Sequence, residues 1–256
     1  AGSFRGAVKA AVADFGSRRG IWDRVFDGPI GEAVLDGDEA GARERMISLI
    51  NRSHLPPGGI VHIVGGGPGD PDLITLKALH ALQRADIVLH DRLVSDEVLA
   101  FARRDAERVF AGKEPGKAAL PQEEINALLA RLAQEGKRVV RLKGGDPFIF
   151  GRGGEEVEYL RARGIEVVVV PGITAAIGSA AAAQIPLTHR DHATAVTFVT
   201  GHAQDGEPDL NWQALAMLGQ TLSIYMGVGQ AKVIADRLIG AGRDPTTPVA
   251  VIENGT

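Results

Sequence analysis

The chain has 256 residues, 45% of them apolar and 23% charged, with 33 glycines, no cysteine and a formal net charge of −4. Such a length allows one or two folded domains of ordinary soluble composition. Without cysteine there are no disulfide frameworks, thiolate zinc sites or cysteine nucleophiles, and the negative balance argues against a general nucleic-acid surface.

Residues 1–53 read as helices alone. Val8, Val12 and Phe15 share one helical face, with Arg18 and Arg19 at its end. Trp22, Val25 and Phe26 follow; Pro29 opens the next helix and Asp38 caps the last, which carries Ala42, Met46, Leu49 and Ile50. With no strand to pack on, these apolar faces are expected to meet another chain or further sequence, and a homodimer is the expected state. His54-Leu55-Pro56-Pro57-Gly58-Gly59 reads as a linker over 54–59. The N-terminus shows no apolar core of a secretory signal, and the lack of cysteine fits a reducing compartment, so a cytoplasmic location is expected.

From Ile60 the rhythm becomes strand, loop, helix. Strands are predicted at 60–65, 86–90, 107–111, 138–142 and 166–170, and helices near 72–84, 95–102, 121–135 and 153–163. Pro121 starts one helix and Gly136 ends it. This alternation predicts a parallel sheet with crossover helices. An alanine-rich helix at 173–183 leads to a second set, with strands 195–200, 220–225 and 248–252 and helices 211–217 and 229–239. Two α/β lobes with a cleft between them are therefore expected, at 60–170 and 171–256. Val167–Thr188 carries no charge over about a bilayer's thickness. Pro171, Gly172, Gly178 and Pro186 break it, so a buried strand and a small-residue helix are expected, with no membrane partner.

The loops at the strand ends carry the chemistry. Residues 143–156, Lys-Gly-Gly-Asp-Pro-Phe-Ile-Phe-Gly-Arg-Gly-Gly-Glu-Glu, put five glycines, a proline and two aromatics, Phe148 and Phe150, between a strand and a helix. Glycines let backbone approach a ligand, and open α/β sheets hold small molecules at the carboxyl ends of their strands. Gly65-Gly66-Gly67-Pro68-Gly69-Asp70 has the wrong spacing for a dinucleotide fingerprint, and Pro68 removes an amide donor. A nucleoside without a pyrophosphate, such as S-adenosylmethionine, suits this loop. Asp91 ends the second strand and is equally a general base, a partner of Arg92 or a helix cap. Lys113 is a solvated lysine or a cation facing an acidic ligand, and Thr174 a ligand contact or a cap. In Pro186-Leu187-Thr188-His189-Arg190-Asp191-His192 the two histidines lack an obvious third ligand, so an anion-facing loop is expected and not a metal site. Met226, in Tyr225-Met226-Gly227-Val228-Gly229, is core or lies along an adenine face. No Gly-x-Ser-x-Gly elbow supports hydrolase chemistry.

Taken together, Gly66-Gly67-Pro68-Gly69-Asp70, Asp91-Arg92-Leu93-Val94-Ser95, Pro121-Gln122-Glu123-Glu124-Ile125-Asn126, the 143–156 run, Pro171-Gly172-Ile173-Thr174, Pro186-Leu187-Thr188-His189-Arg190 and Glu253-Asn254-Gly255-Thr256 closely resemble the uroporphyrinogen-III C-methyltransferase family, collinearly over residues 60–256. Trp22–Phe26 and Gly37–Ala40 resemble the helical end of the dehydrogenase–ferrochelatase half of siroheme synthases, which carry this methyltransferase as their C-terminal half. The resemblance implies two α/β lobes of the tetrapyrrole methylase type, with the cofactor between them, after a short all-helical dimerisation segment over 1–53. It implies two methyl transfers from S-adenosylmethionine to uroporphyrinogen III, giving precorrin-2 by way of precorrin-1 and releasing S-adenosylhomocysteine. By similarity Asp91 accepts a proton and Lys113 donates one. Pro68, Gly144, Gly145, Asp146, Ile149, Thr174, Ala175, Met226 and Gly255 line the S-adenosylmethionine site. On charge grounds Arg92, Arg152, His189 and Arg190 face the eight substrate carboxylates. The nicotinamide-binding part of the fused enzyme is outside these residues, and relatives continue past the position of Thr256. His90, where relatives usually have tyrosine, and Lys117-Ala118-Ala119 depart from the family pattern. The rival expectation is a tetrapyrrole-binding or dimerisation fragment of a truncated siroheme synthase with weak catalysis.

Overall fold

A proline at the first turn and an aspartate cap account for the two helices described in full near the N-terminus: α1 (Pro29–Leu35) and α2 (Glu39–Arg52). Asp38 Oδ1 accepts the Gly41 amide hydrogen at 2.8 Å, satisfying one of the donors a helix start leaves open. The computed structural model describes residues 6, 8, 9, 21, 22, 25, 29–52, 59–112, 120–202 and 207–252. Val12, Phe15, Arg18, Arg19, Phe26 and most of the expected linker lie outside them. Val8, Ile21, Val25, Ile30, Ala33, Ala42 and Met46 are buried in one cluster. The helices thus cover much of their apolar surface on one another, where the sequence alone points to another chain or further sequence as their cover. Leu35, 89% exposed, with Val34 and Ile47, still faces outward.

Gly59 corrects the linker reading at its last residue. It is buried, and its amide donates to the Ala133 carbonyl at 2.9 Å. It leads into β1 (Ile60–Gly65), at the heart of a five-stranded sheet. The other strands are β2 (Ile87–His90), β3 (Glu107–Phe110), β4 (Arg138–Lys143) and β5 (Glu166–Val170). The order is β3-β2-β4-β1-β5 and every pairing is parallel.

Helices cover both faces, as a parallel sheet requires. Val61, Ile63, Leu89 and Val139 pack against Ile125 and Leu129 of α5 (Gln122–Gln134) and Val157 and Leu160 of α6 (Gly153–Arg161). Val64, Val88, Val140, Leu142 and Val170 face Ala78 and Leu82 of α3 (Leu76–Leu82) and Val98 and Leu99 of α4 (Asp96–Leu99). The helix expected at 72–84 is divided. Asp70 caps a 3-10 turn at Pro71–Leu73, and Thr75 then caps α3 by accepting from the Ala78 amide at 3.2 Å.

Past α7 (Ala175–Ala182), β6 (Ala195–Thr200) and β7 (Gln220–Tyr225) pair in parallel, joined to α8 (Trp212–Ala216) and α9 (Ala231–Gly240). The strand expected at 248–252 is not formed. Its alternating pattern is present, but it finds no ladder partner among the described residues, and Val249 and Val251 are 83% and 72% exposed.

Candidate functional site

Strands β1, β2, β4 and β5 end along one edge of the sheet, and the turns that leave them are tied together by backbone. The Gly66 amide donates to the Lys143 carbonyl at 2.7 Å. Gly67 and Gly145 exchange hydrogen bonds across an antiparallel bridge, at 3.2 and 2.7 Å. Asp146 reaches the third turn: its Oδ2 accepts the Gly172 amide at 3.1 Å, while Oδ1 accepts the Phe148 amide at 2.8 Å. The spacing leaves no room for side chains. A Cβ on Gly65 would stand 2.5 Å from the Gly172 nitrogen and 2.6 Å from the Gly145 oxygen. Gly145 itself sits at φ +67°, in the left-handed region that glycine enters without strain. Pro68 lies against α7, where a Cβ on Gly178 would meet its ring at 2.5 Å. A depression of about 330 Å³ beside the first turn is lined by Gly69, Asp70, Pro71, Ser95 and Glu97. Another of about 310 Å³ is lined by Pro147, Phe148, Arg152, Gly153, Gly154 and Glu155. Neither is lined by all three turns, whose connection is the hydrogen bonding just described.

A residue the sequence reading left without a role joins the second sheet to this edge. The Tyr225 hydroxyl lies 2.6 Å from Thr174 Oγ1 and accepts the Ala176 amide hydrogen at 3.0 Å. Thr174 occupies the N-cap of α7, yet its own side chain caps no amide; Tyr225 satisfies that donor from 49 residues away. Its ring packs at 5.0 Å from Phe150 and 6.0 Å from Phe198. Thr174 is buried, Ala175 exposed and Ile149 half-buried. Met226, beside Tyr225, is 58% exposed and holds φ +56°. A non-glycine residue in that region is strained, and such positions cluster at ligand clamps.

Asp91 leaves the end of β2. Its Oδ1 accepts the Leu93 amide at 3.1 Å, a local turn, and its Oδ2 lies 3.4 Å from Arg141 Nη2. Leu93 in turn covers Gly144, on which a Cβ would stand 2.7 Å from the leucine Cβ. Ser95 Oγ donates to the Gly69 carbonyl at 2.9 Å, so the Asp91 loop is fastened to the first two turns. Beneath Asp91 lies a sealed group of charges. Arg141 is 3% exposed, Lys143 5% and Glu156 0%. Burial pushes the Lys143 ammonium below the ordinary lysine value and the Arg141 cation adds to this, while the Glu156 and Asp91 carboxylates oppose it.

Among the described residues, the remaining expected site residues are placed less centrally. Lys113 and Gly255 lie outside the described residues, as do Lys117, Ala118 and Ala119. Arg92 is exposed. Arg152, at φ 58° before α6, is held by Glu155 through Nε at 2.9 Å and Nη2 at 2.6 Å. His189 and Arg190 are exposed in a self-contained bend, where the His189 amide donates to the Ala193 carbonyl and the His189 and His192 rings lie 4.7 Å apart. Sequence reasoning passed over Arg141, Lys143, Glu156 and Tyr225. One signal was available: Arg141 and Lys143, two cations two residues apart in a central strand that, after Arg138 at its start, is otherwise valine and leucine.

Residues 61–256 match the family model described as tetrapyrrole (corrin/porphyrin) methylases, and residues 1–50 that of the sirohaem synthase dimerisation region. A siroheme synthase from Chromobacterium violaceum is 54% identical over 254 residues, 99% of this chain and 54% of that protein. The chain thus spans about half the length of the curated relatives it matches. The solved native uroporphyrin III C-methyl transferase of Thermus thermophilus superposes with a TM-score of 0.62 at 48% identity, over 73% of this chain and 79% of that one. The structure of that enzyme complexed with S-adenyl homocysteine gives the same TM-score and identity, over 73% and 78%.

Proposed function

Because the chain belongs to the tetrapyrrole (corrin/porphyrin) methylases, we propose that it methylates ring carbons of uroporphyrinogen III with S-adenosylmethionine, in siroheme or cobalamin biosynthesis. The reaction runs twice and gives precorrin-2 by way of precorrin-1. The observation that carries this reading is the hydrogen-bonded convergence of three glycine-bearing turns at the carboxyl edge of the sheet, with Asp91 beside them.

The site residues suit this cofactor. Without Cβ atoms Gly65, Gly145 and Gly172 let the three turns pack backbone against backbone, which gathers the residues flanking them at one edge of the sheet. From the family motif, Pro68, Gly144, Gly145, Asp146, Ile149, Thr174, Ala175, Met226 and Gly255 are the residues proposed to line the cofactor site. S-adenosylmethionine supplies an electrophilic methyl: a carbon–carbon bond forms as the methyl–sulfur bond breaks, and that electron pair stays on sulfur.

The protein contributes alignment, exclusion of water and a proton acceptor. Methylation leaves the substrate ring system cationic until a proton departs, and Asp91, fixed through both oxygens, takes it. Lys113 is the proposed donor. Arg92, Arg152, His189 and Arg190 are the proposed partners of the substrate carboxylates; Arg152 must exchange Glu155 for the substrate to do so. The N-terminal helices hold two copies together, and the pathway places the enzyme in the cytoplasm. No described helix is long and apolar enough to cross a membrane.

Incubation with methyl-labelled S-adenosylmethionine and uroporphyrinogen III tests the reading. Label in a twice-methylated tetrapyrrole supports it. Tight tetrapyrrole binding without labelled product would replace it with a binding fragment.

A further inference from the structure

We propose that Glu156 is a positioning residue for methyl transfer: acting through Arg141, it fixes the direction of the Asp91 carboxylate. The inference rests on Asp91 being the proton acceptor, as proposed above.

Arg141 and Lys143 stand two apart on β4, and so on one face of a central strand. Two cations buried there repel each other and lose hydration, a cost that only an equally buried anion offsets. Glu156, projecting from α6, is that anion. Its Oε1 accepts from Arg141 Nε at 3.1 Å, Lys143 Nζ at 3.3 Å and Gln122 Nε2 at 3.1 Å. Gln122 is itself steadied through its contact with Asn126 Oδ1 at 3.0 Å.

A guanidinium is a rigid planar fork, so fixing one edge fixes the other. With Nε on Glu156, Arg141 Nη1 points to the carbonyls of Leu142 at 3.2 Å and Leu89 at 3.5 Å. Nη2 is then left facing Asp91 Oδ2 at 3.4 Å. The charges balance, two against two, and three of them are sealed. The fourth, Asp91, keeps 24% of its side chain exposed at the edge where the turns converge. Stability alone does not call for this arrangement, because well-packed apolar residues commonly replace a buried ion group at no loss. A charged chain that ends on the one open carboxylate directs that carboxylate.

Glu156→Gln, Asp91→Ala and the double variant separate the possibilities. Glu156→Gln is expected to lower kcat about 10-fold to 100-fold, as a small misplacement of a reacting group does. Its KM for S-adenosylmethionine and its calorimetric Kd for S-adenosylhomocysteine are expected to stay within about twofold of the parent. In the Asp91→Ala background the same change is expected to have no further effect on kcat. A full additional loss in that background, or unchanged kcat in the single variant, overturns the proposal. If Glu156→Gln does not fold, Arg141→Lys decides, since it keeps the buried charge and loses the fork: full turnover there overturns the proposal equally. Asp91→Ala with full turnover would instead sink the reading of Asp91.

Discussion

One hydroxyl does two jobs at the junction of the sheets. Tyr225 closes the amide end of α7 and holds Thr174, both at the site edge, while its ring rests between Phe150 and Phe198. Tyr225→Phe keeps the ring and removes only the hydroxyl. Two bonds to a partly buried group are lost, so S-adenosylhomocysteine binding is expected to weaken about 10-fold, with global stability falling by about 1 kcal/mol. Titration calorimetry and urea unfolding read the two effects separately. Wild-type affinity in the variant would show that Thr174 and Ala176 hold their places unaided.

Elements set the site by the way they end. Each helix on the first sheet starts or stops within a few residues of a strand end, so small errors there move the turns. Gly59 shows the constraint. A Cβ on it would crowd the Ala133 and Lys137 carbonyl oxygens and lie 2.8 Å from the Ala133 Cα, all backbone that has no rotamer to change. Gly59→Ala is expected to push β1 from the end of α5 and cost about 2 kcal/mol, typical of a steric clash in a core. Denaturant melts of the two proteins check this. The sequence showed this glycine as the last member of a proline- and glycine-rich run, where a linker is the natural reading. What decides otherwise is the tail of α5, more than 70 residues further on.

At the scale of the molecule, β1, an interior strand of the first sheet, carries an acid-sensitive group. His62 sits on β1 between Val140 and Val168, and its pKa is lowered from 6.5 to about 4. Burial is the main cause, with the Arg138, Lys77 and Arg84 cations adding to it. The folded state therefore resists a proton that the unfolded chain accepts below its ordinary value. The stability this gives is complete above the ordinary histidine value and is lost as pH falls toward the folded one. Between about pH 7.5 and about pH 5 the loss from this group is about 2 kcal/mol. Urea denaturation of the parent and of His62→Leu at both values tests it: the pH difference should shrink by that amount in the variant. An equal difference in both would remove His62 from the acid response.

Local patterns carried a great deal here. Short stretches rich in Val, Ile and Leu separated by helical periods placed the five parallel strands of the first sheet nearly to the residue, because strands covered on both faces are mostly apolar; β3 (Glu-Arg-Val-Phe) and the charged positions of β4 are the exceptions. Glycine marked the turns at their ends, since only a residue without Cβ tolerates the close backbone approach found there. Pairing decided the rest. Val249–Ile252 has the composition of a strand, but a strand exists only with a neighbour to complete its ladder. The ties from Glu156 to Asp91 and from Tyr225 to Thr174 join residues 65 and 51 positions apart, and a sequence pattern reports only on neighbours a few residues away. Their electrostatics follow from burial, which the packed sheet alone creates.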